Sequence, residues 1–111
     1  MFSIQQKKVT VIGGQKSGLA ALELIRRQGG QPRLSEMKRA ADFPAEAVRT
    51  LKDSGAIVEW GGHTAEFVTS SDLVVLSPGV RIDAAPVVWA RQAGIPVLGE
   101  IEFAYQFCRR R

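Results

Sequence analysis

The apolar positions of this chain follow two rhythms in turn. Short unbroken runs, often β-branched, occur at Val9-Thr10-Val11-Ile12, Ala56-Ile57-Val58 and Leu73-Val74-Val75-Leu76. Runs of this kind suit strands that are covered on both faces. Between them apolar residues recur at helical spacing, as in Leu19, Ala21, Leu22 and Ile25, and again in Val48 and Leu51. The pattern predicts strands at residues 8–12, 31–36, 56–60, 72–77 and 95–98. It predicts helices at residues 17–28, from Pro44 in a first turn to a stop at Gly55, and at 65–69, 86–93 and 100–109. In the last helix Ile101, Phe103, Ala104 and Phe107 are available for packing. Glycines follow several of these segments and mark their ends.

Strict alternation of strand and helix argues for an α/β fold, with a parallel five-stranded sheet and helices on both faces. Crossovers are expected to be right-handed, and the expected strand order is 3-2-1-4-5. The switch point then lies between the first and fourth strands. Ligands of such sheets bind there, beyond the carboxyl ends of the strands. The chain reads as a single domain over residues 1–111, with a core from about Lys7 to Arg109 and no repeats or linkers.

Composition narrows the function classes. With 111 residues and 45% hydrophobic content the chain suits one globular domain. No apolar run approaches the roughly 20 residues that cross a membrane, and the first residues lack the pattern of a signal peptide. The net charge is +4, but Arg109, Arg110 and Arg111 carry three of those charges and read as a solvated tail. Basic residues are not interleaved with aromatics, so nucleic acid is not an expected partner. Cys108 is the single cysteine and reads as a packing residue of the terminal helix. One cysteine permits no internal disulfide, which suits a reducing cytoplasm.

The first strand runs into Gly13-Gly14-Gln15-Lys16-Ser17-Gly18. A helix start at this point offers free N–H groups and a positive dipole end to a phosphate. Lys16 and Ser17 add a charge and a hydroxyl. The dinucleotide fingerprint needs glycine where Gln15 stands, and a P-loop needs Lys and Ser/Thr where Leu19 and Ala20 stand. The loop therefore points to phosphate and only weakly to a nicotinamide dinucleotide.

Glu36 closes the second strand, where an acid commonly accepts hydrogen bonds from a nucleoside. Lys38 and Arg39 follow it, and Ser77-Pro78-Gly79-Val80-Arg81 closes the fourth strand. Lys16, Lys38, Arg39 and Arg81 are expected near one rim, drawing in a diphosphate. His63 reads as a polar turn residue with no visible partner. No spacing of His, Cys, Asp or Glu suggests a metal site or a catalytic pair.

Three segments together carry a resemblance. They are Val9-Thr10-Val11-Ile12-Gly13 with Ser17-Gly18-Leu19-Ala20, then Val75-Leu76-Ser77-Pro78-Gly79-Val80, then Ile95-Pro96-Val97-Leu98-Gly99-Glu100-Ile101-Glu102. In this order and spacing they resemble the N-terminal domain of the Mur ligase family, and its D-glutamate-adding branch best. The resemblance covers nearly the whole chain. It implies a Rossmann-like fold and a domain that holds the UDP end of UDP-N-acetylmuramoyl-L-alanine. It implies that ATP and Mg²⁺ are used by the full-length enzyme, through central and C-terminal domains absent from this chain, and that this domain holds no cofactor and does no chemistry alone. The implied contacts are Gly14, Gln15, Lys16 and Ser17 on the diphosphate, Glu36, Met37 and Lys38 around the uracil, and Ser77 and Gly79 along the substrate. Many members have glycine at the position of Gln15 and aspartate at that of Glu36. From the residues themselves, an NAD(P)-binding domain of an oxidoreductase and a non-catalytic nucleotide-sensing module stay open.

Overall fold

The computed structural model describes residues 2–14 and 16–108, with the side chain of Ser17 outside that description. Five strands, β1 (Lys8–Ile12), β2 (Gln31–Glu36), β3 (Ile57–Trp60), β4 (Leu73–Leu76) and β5 (Val97–Gly99), form one sheet in the order β3-β2-β1-β4-β5. Every neighbouring pair is parallel. The connections are α1 (Lys16–Arg27), α2 (Ala45–Ser54), α3 (Ala65–Thr69) and α4 (Ala85–Gln92), and α5 (Glu100–Tyr105) follows β5. A 3₁₀ turn at Ala40–Asp42, absent from the sequence reading, leads into α2.

The alternation of side chains along each strand divides the core in two. Val9, Val11, Leu34, Leu73 and Val75 face α1, α2 and α5, and meet Ala21, Leu22, Ile25, Leu51 and Phe103. Ile12, Val74 and Leu76 face the other way, against Val68, Val87 and Ala90 of α3 and α4. Covering on both faces explains the unbroken apolar runs of β1 and β4. The edge strands β3 and β5 are only half-buried, and Ile57 of β3 is 50% exposed.

On the α3 side β2 carries a polar pair, Arg33 and Ser35, both buried. The Arg33 guanidinium donates to Thr10, Ser70 and Ser71 hydroxyls at 3.2, 3.1 and 3.0 Å and lies 4.0 Å from the centre of the Phe67 ring. These contacts tie the end of α3 to the sheet and satisfy a cation that makes no ion pair among the described residues, although the charges of Glu59 and Asp72 act on it.

Several element ends differ from the pattern's prediction, each for a local reason. Pro44 is the cap before α2 and not part of its first turn. β5 begins at Val97 because the Ile95 N–H is bound to Ala90 O, and Pro96 has no N–H to donate. Its carbonyl still accepts from Val74 N at 3.0 Å. Helix α5 ends at Tyr105, and Cys108 beyond it is exposed, so it is not the packing residue its position suggested. Packing also begins ahead of Lys7. Ile4 is 3% exposed, and the Phe2 ring meets Phe103 and Phe107 edge-on at centroid distances of 6.5 and 5.5 Å. No helix among the described residues is long and apolar enough to cross a membrane.

Phe103 is thus the anchor of α5, with no exposed surface, while Ile101 on the same helix is 78% exposed. Phe103→Ala is expected to cost about 3–5 kcal/mol in urea denaturation. Ile101→Ala is expected to stay within about 0.5 kcal/mol of the parent. Equal losses at the two positions would mean that α5 does not dock in this way.

Candidate functional site

At the carboxyl ends of the strands, β1 and β4 diverge into α1 and α4, and a cleft of about 600 Å³ opens between them. Its floor is the end of β1. The Gly13 N–H donates to Ser35 O at 3.0 Å, the Ser77 N–H donates to Ile12 O at 3.2 Å, and the Ser77 hydroxyl donates to Gly13 O at 2.5 Å. Strand ends on both sides are therefore stitched to the same glycine. Gly18 sits directly on it: a Cβ at position 18 would lie 2.2 Å from Gly13 O. Only glycine lets the first turn of α1 come this close.

Gly14 is held from the other side. Its N–H donates to Glu36 Oε1 at 2.7 Å, and the Lys38 N–H donates to Glu36 Oε2 at 2.8 Å. Glu36 is 6% exposed. Both carboxylate oxygens are thus used to brace the glycine loop and the turn after β2. Sequence reasoning assigned Glu36 to a ligand, and the spacing alone gave no sign of this bracing.

Of the residues expected at a ligand, Glu36, Met37, Lys38, Ser77 and Gly79 line the cleft together, along with Gly13, Pro78, Val80 and Trp89. Gly14 and Lys16 line an adjoining groove of about 550 Å³ between α1 and α2, with Leu19, Phe43 and Glu46. Lys38 borders both spaces. Ser17 lies in the first turn of α1, and Gln15 lies outside the described residues. Arg39 and Arg81, expected as attractors of a diphosphate, are instead paired with Asp42 and Asp83 at 3.0 and 2.9 Å on exposed surface.

His63 is the residue that sequence reasoning undervalued. It lines the cleft, and its Nδ1 lies 2.6 Å from the buried Ser35 hydroxyl. That hydroxyl donates to Glu59 Oε2, also at 2.6 Å. Glu59 accepts in addition from the backbone and hydroxyl of Thr64, whose Oγ1 caps α3 by accepting from Phe67 N. The partners come from β2 and β3, which neighbour each other only in the folded sheet. Burial pushes the His63 pKa below its usual 6.5, and the negative charges of Glu59 and Glu36 offset part of that effect.

Comparison with known proteins gives a consistent answer. Residues 7–99 match the family model described as Mur ligase MurD-like, N-terminal domain. The chain is 40% identical over 106 residues to the UDP-N-acetylmuramoylalanine–D-glutamate ligase of Acidobacterium capsulatum, covering 96% of this chain and 23% of that protein. It is 41% identical over 105 residues to the ligase of that name from Salinibacter ruber, covering 95% and 22%. The chain thus spans about a quarter of the length of these curated relatives. Among solved structures it is similar to the UDP-N-acetylmuramate-alanine ligase MurC of Thermotoga maritima, with a TM-score of 0.71, 22% identity, and coverage of 90% of this chain and 22% of that one. Shikimate dehydrogenase from Aquifex aeolicus is less similar, with a TM-score of 0.60, 12% identity, and coverage of 92% and 45%. At these identities the structures show a shared fold.

Two outcomes follow from the geometry. Glu36→Gln leaves one acceptor for two N–H groups and turns an NH₂ toward the other, so it is expected to cost about 1.5–3 kcal/mol. Amide exchange at Gly14 or Lys38 should quicken with it, and an unchanged unfolding midpoint would contradict the bracing role. For His63 the lowered pKa means that the unfolded chain binds its proton more readily than the folded one. Its contribution to stability is present above about pH 6.5 and declines as pH falls below it. The thermal midpoint should therefore drop from about pH 7.5 to 5.5, and His63→Asn should flatten that drop. Equal slopes for both proteins would show that the imidazole is not buried as described.

Proposed function

This chain belongs to the MurD-like N-terminal domain family of the Mur ligases, and from that premise we propose that its cleft holds the UDP half of UDP-N-acetylmuramoyl-L-alanine for a ligase that adds D-glutamate in peptidoglycan precursor synthesis. The observation that carries the proposal is the convergence of three loops on one cleft. The glycine loop, the turn at Glu36 to Lys38 and the turn at Ser77 to Gly79 meet at the divergence of β1 and β4. Helix α1 has no acid in its own first turn, so the carboxylate that meets its positive end is that of Glu36, bound to the Gly14 N–H.

The chemistry assigned to this domain is binding and orientation. Free N–H groups at the start of α1 hold the diphosphate, with Lys16, Ser17 and Lys38 adding charge and a hydroxyl. Gly14 cannot donate fully, because Glu36 already takes its N–H. Gln15 follows it in the same loop and is proposed to flank the diphosphate. Met37, 64% exposed at the cleft, offers an apolar surface to the base. Ser77 and Gly79 line the path of the sugar toward the rest of the enzyme.

Amide formation by such a ligase activates the substrate carboxylate at the expense of ATP with Mg²⁺. Leu19 and Ala20 stand where a P-loop needs Lys and Ser/Thr, and no three metal-ligating side chains converge among the described residues. ATP and Mg²⁺ are accordingly assigned to central and C-terminal domains, which would be partners of this one. The proposed compartment is the bacterial cytoplasm.

Titration of the chain with UDP, followed by amide NMR shifts, tests the proposal. Shifts should cluster at Gly13 to Gly18, Glu36 to Lys38 and Ser77 to Val80, with a Kd on the order of 0.1–1 mM for a half-site. Lys16→Ala and Lys38→Ala should each weaken binding and reduce its salt dependence. Tighter binding of NAD at the same amides would favour an oxidoreductase domain instead.

A further inference from the structure

The hydrogen bonds around Ser35 fix more than the position of His63. The Ser35 hydroxyl has one proton and stands 2.6 Å from both Glu59 Oε2 and His63 Nδ1. An ionised carboxylate can only accept, so that proton goes to Glu59. If Nδ1 were bare, two lone pairs would then face each other at hydrogen-bond distance. The imidazole must therefore carry its proton on Nδ1 and donate it to Ser35. Glu59 is itself held by Thr64, which leaves it no freedom to turn away.

The other ring nitrogen is left as an acceptor. Nε2 has no partner among the described residues and is not shut off from solvent, while the ring lines the cleft. In folds of this kind an acid at the end of β2 usually reads the nucleoside. Here both oxygens of that acid, Glu36, are taken by backbone N–H groups. His63 Nε2 is a second acceptor at this end of the sheet, held in orientation by Ser35 and lining the same cleft.

We infer that His63 is a nucleoside-reading residue, whose Ser35–Glu59 relay holds Nε2 toward the cleft to accept a hydrogen bond from a ribose hydroxyl or from the imide N–H of a pyrimidine base. The inference rests on the cleft being the nucleoside diphosphate site. It adds a ligand contact from the turn after β3, outside the three loops already assigned. Ser35 and Glu59 act through His63 and are positioning residues.

The test is long-range ¹H–¹⁵N NMR of the chain with labelled histidine. The free chain should show the Nδ1–H tautomer, and Ser35→Ala should shift the ring toward Nε2–H. Adding UDP should move the Nε2 resonance. His63→Asn, which can keep the bond to Ser35 but cannot reach the ligand, should weaken UDP about 3- to 10-fold, the worth of one neutral hydrogen bond. His63→Gln, which returns an acceptor near the Nε2 position, should recover part of the loss. Among 2′-deoxy-UDP, 3′-deoxy-UDP and N3-methyl-UDP, the analogue lacking the donor that His63 reads should lose the same factor on the parent and nothing further on His63→Asn. An Nε2–H tautomer in the free chain overturns the inference. So do cleft amides that shift with UDP while Nε2 stays still, and equal penalties for all three analogues on the parent and on His63→Asn. Absence of any cleft shift with UDP overturns instead the reading of the cleft on which the inference rests.

Discussion

Everything at the carboxyl end of this sheet depends on how closely α1 is seated on the end of β1. Position 18 has no space for a Cβ, because the Gly13 carbonyl lies 2.2 Å from where one would be. The same carbonyl accepts the Ser77 hydroxyl, and the next residue, Gly14, is tied to Glu36. Two consecutive glycines at the end of β1 are thus bonded to β2 and to the turn after β4. The result is a helix start aimed into the cleft where the neighbouring strands β1 and β4 lead to helices on opposite faces. An anion-binding helix end is useful only if it is held still, and here three strands hold it.

The sequence was legible wherever burial on both faces or a glycine stop imposed a pattern. β1 and β2 have the predicted ends, α3 spans the predicted residues, and the strand order is the expected one. The candidate residues were legible for a related reason. A parallel sheet puts every strand-to-helix turn on one rim, so residues after β1, β2 and β4 had to gather there. Glu36, Met37, Lys38, Ser77 and Gly79 do so.

What could not be read were pairings made only by the fold. Nothing in the sequence says that Ser35 will meet His63 and Glu59, because β2 and β3 are joined through α2 and come together only by parallel pairing. Nor does it say that Glu36 turns inward. The sequence shows only a glutamate where aspartate is usual, whereas in the fold the carboxylate spans two backbone amides. Lys16 illustrates a third limit. Membership of the loop did not determine which side of it the side chain takes, and it borders the groove toward α2. The edges erred for another reason: β5 begins late because a proline cannot donate to the ladder, and α5 is held by Phe103 alone among its buried residues.

The proposed seat of the uridine diphosphate is the space between Gly13 and Ser77. A crystal structure of the chain with UDP would address it most directly. The diphosphate is expected at the start of α1, within hydrogen-bond reach of its first-turn N–H groups, and the nucleoside along Glu36 to Lys38 and His63. Ordered UDP in the apolar groove between α1 and α5, lined by Leu24, Ile101 and Tyr105, with the Gly13–Ser77 cleft empty in the same crystals, would contradict it.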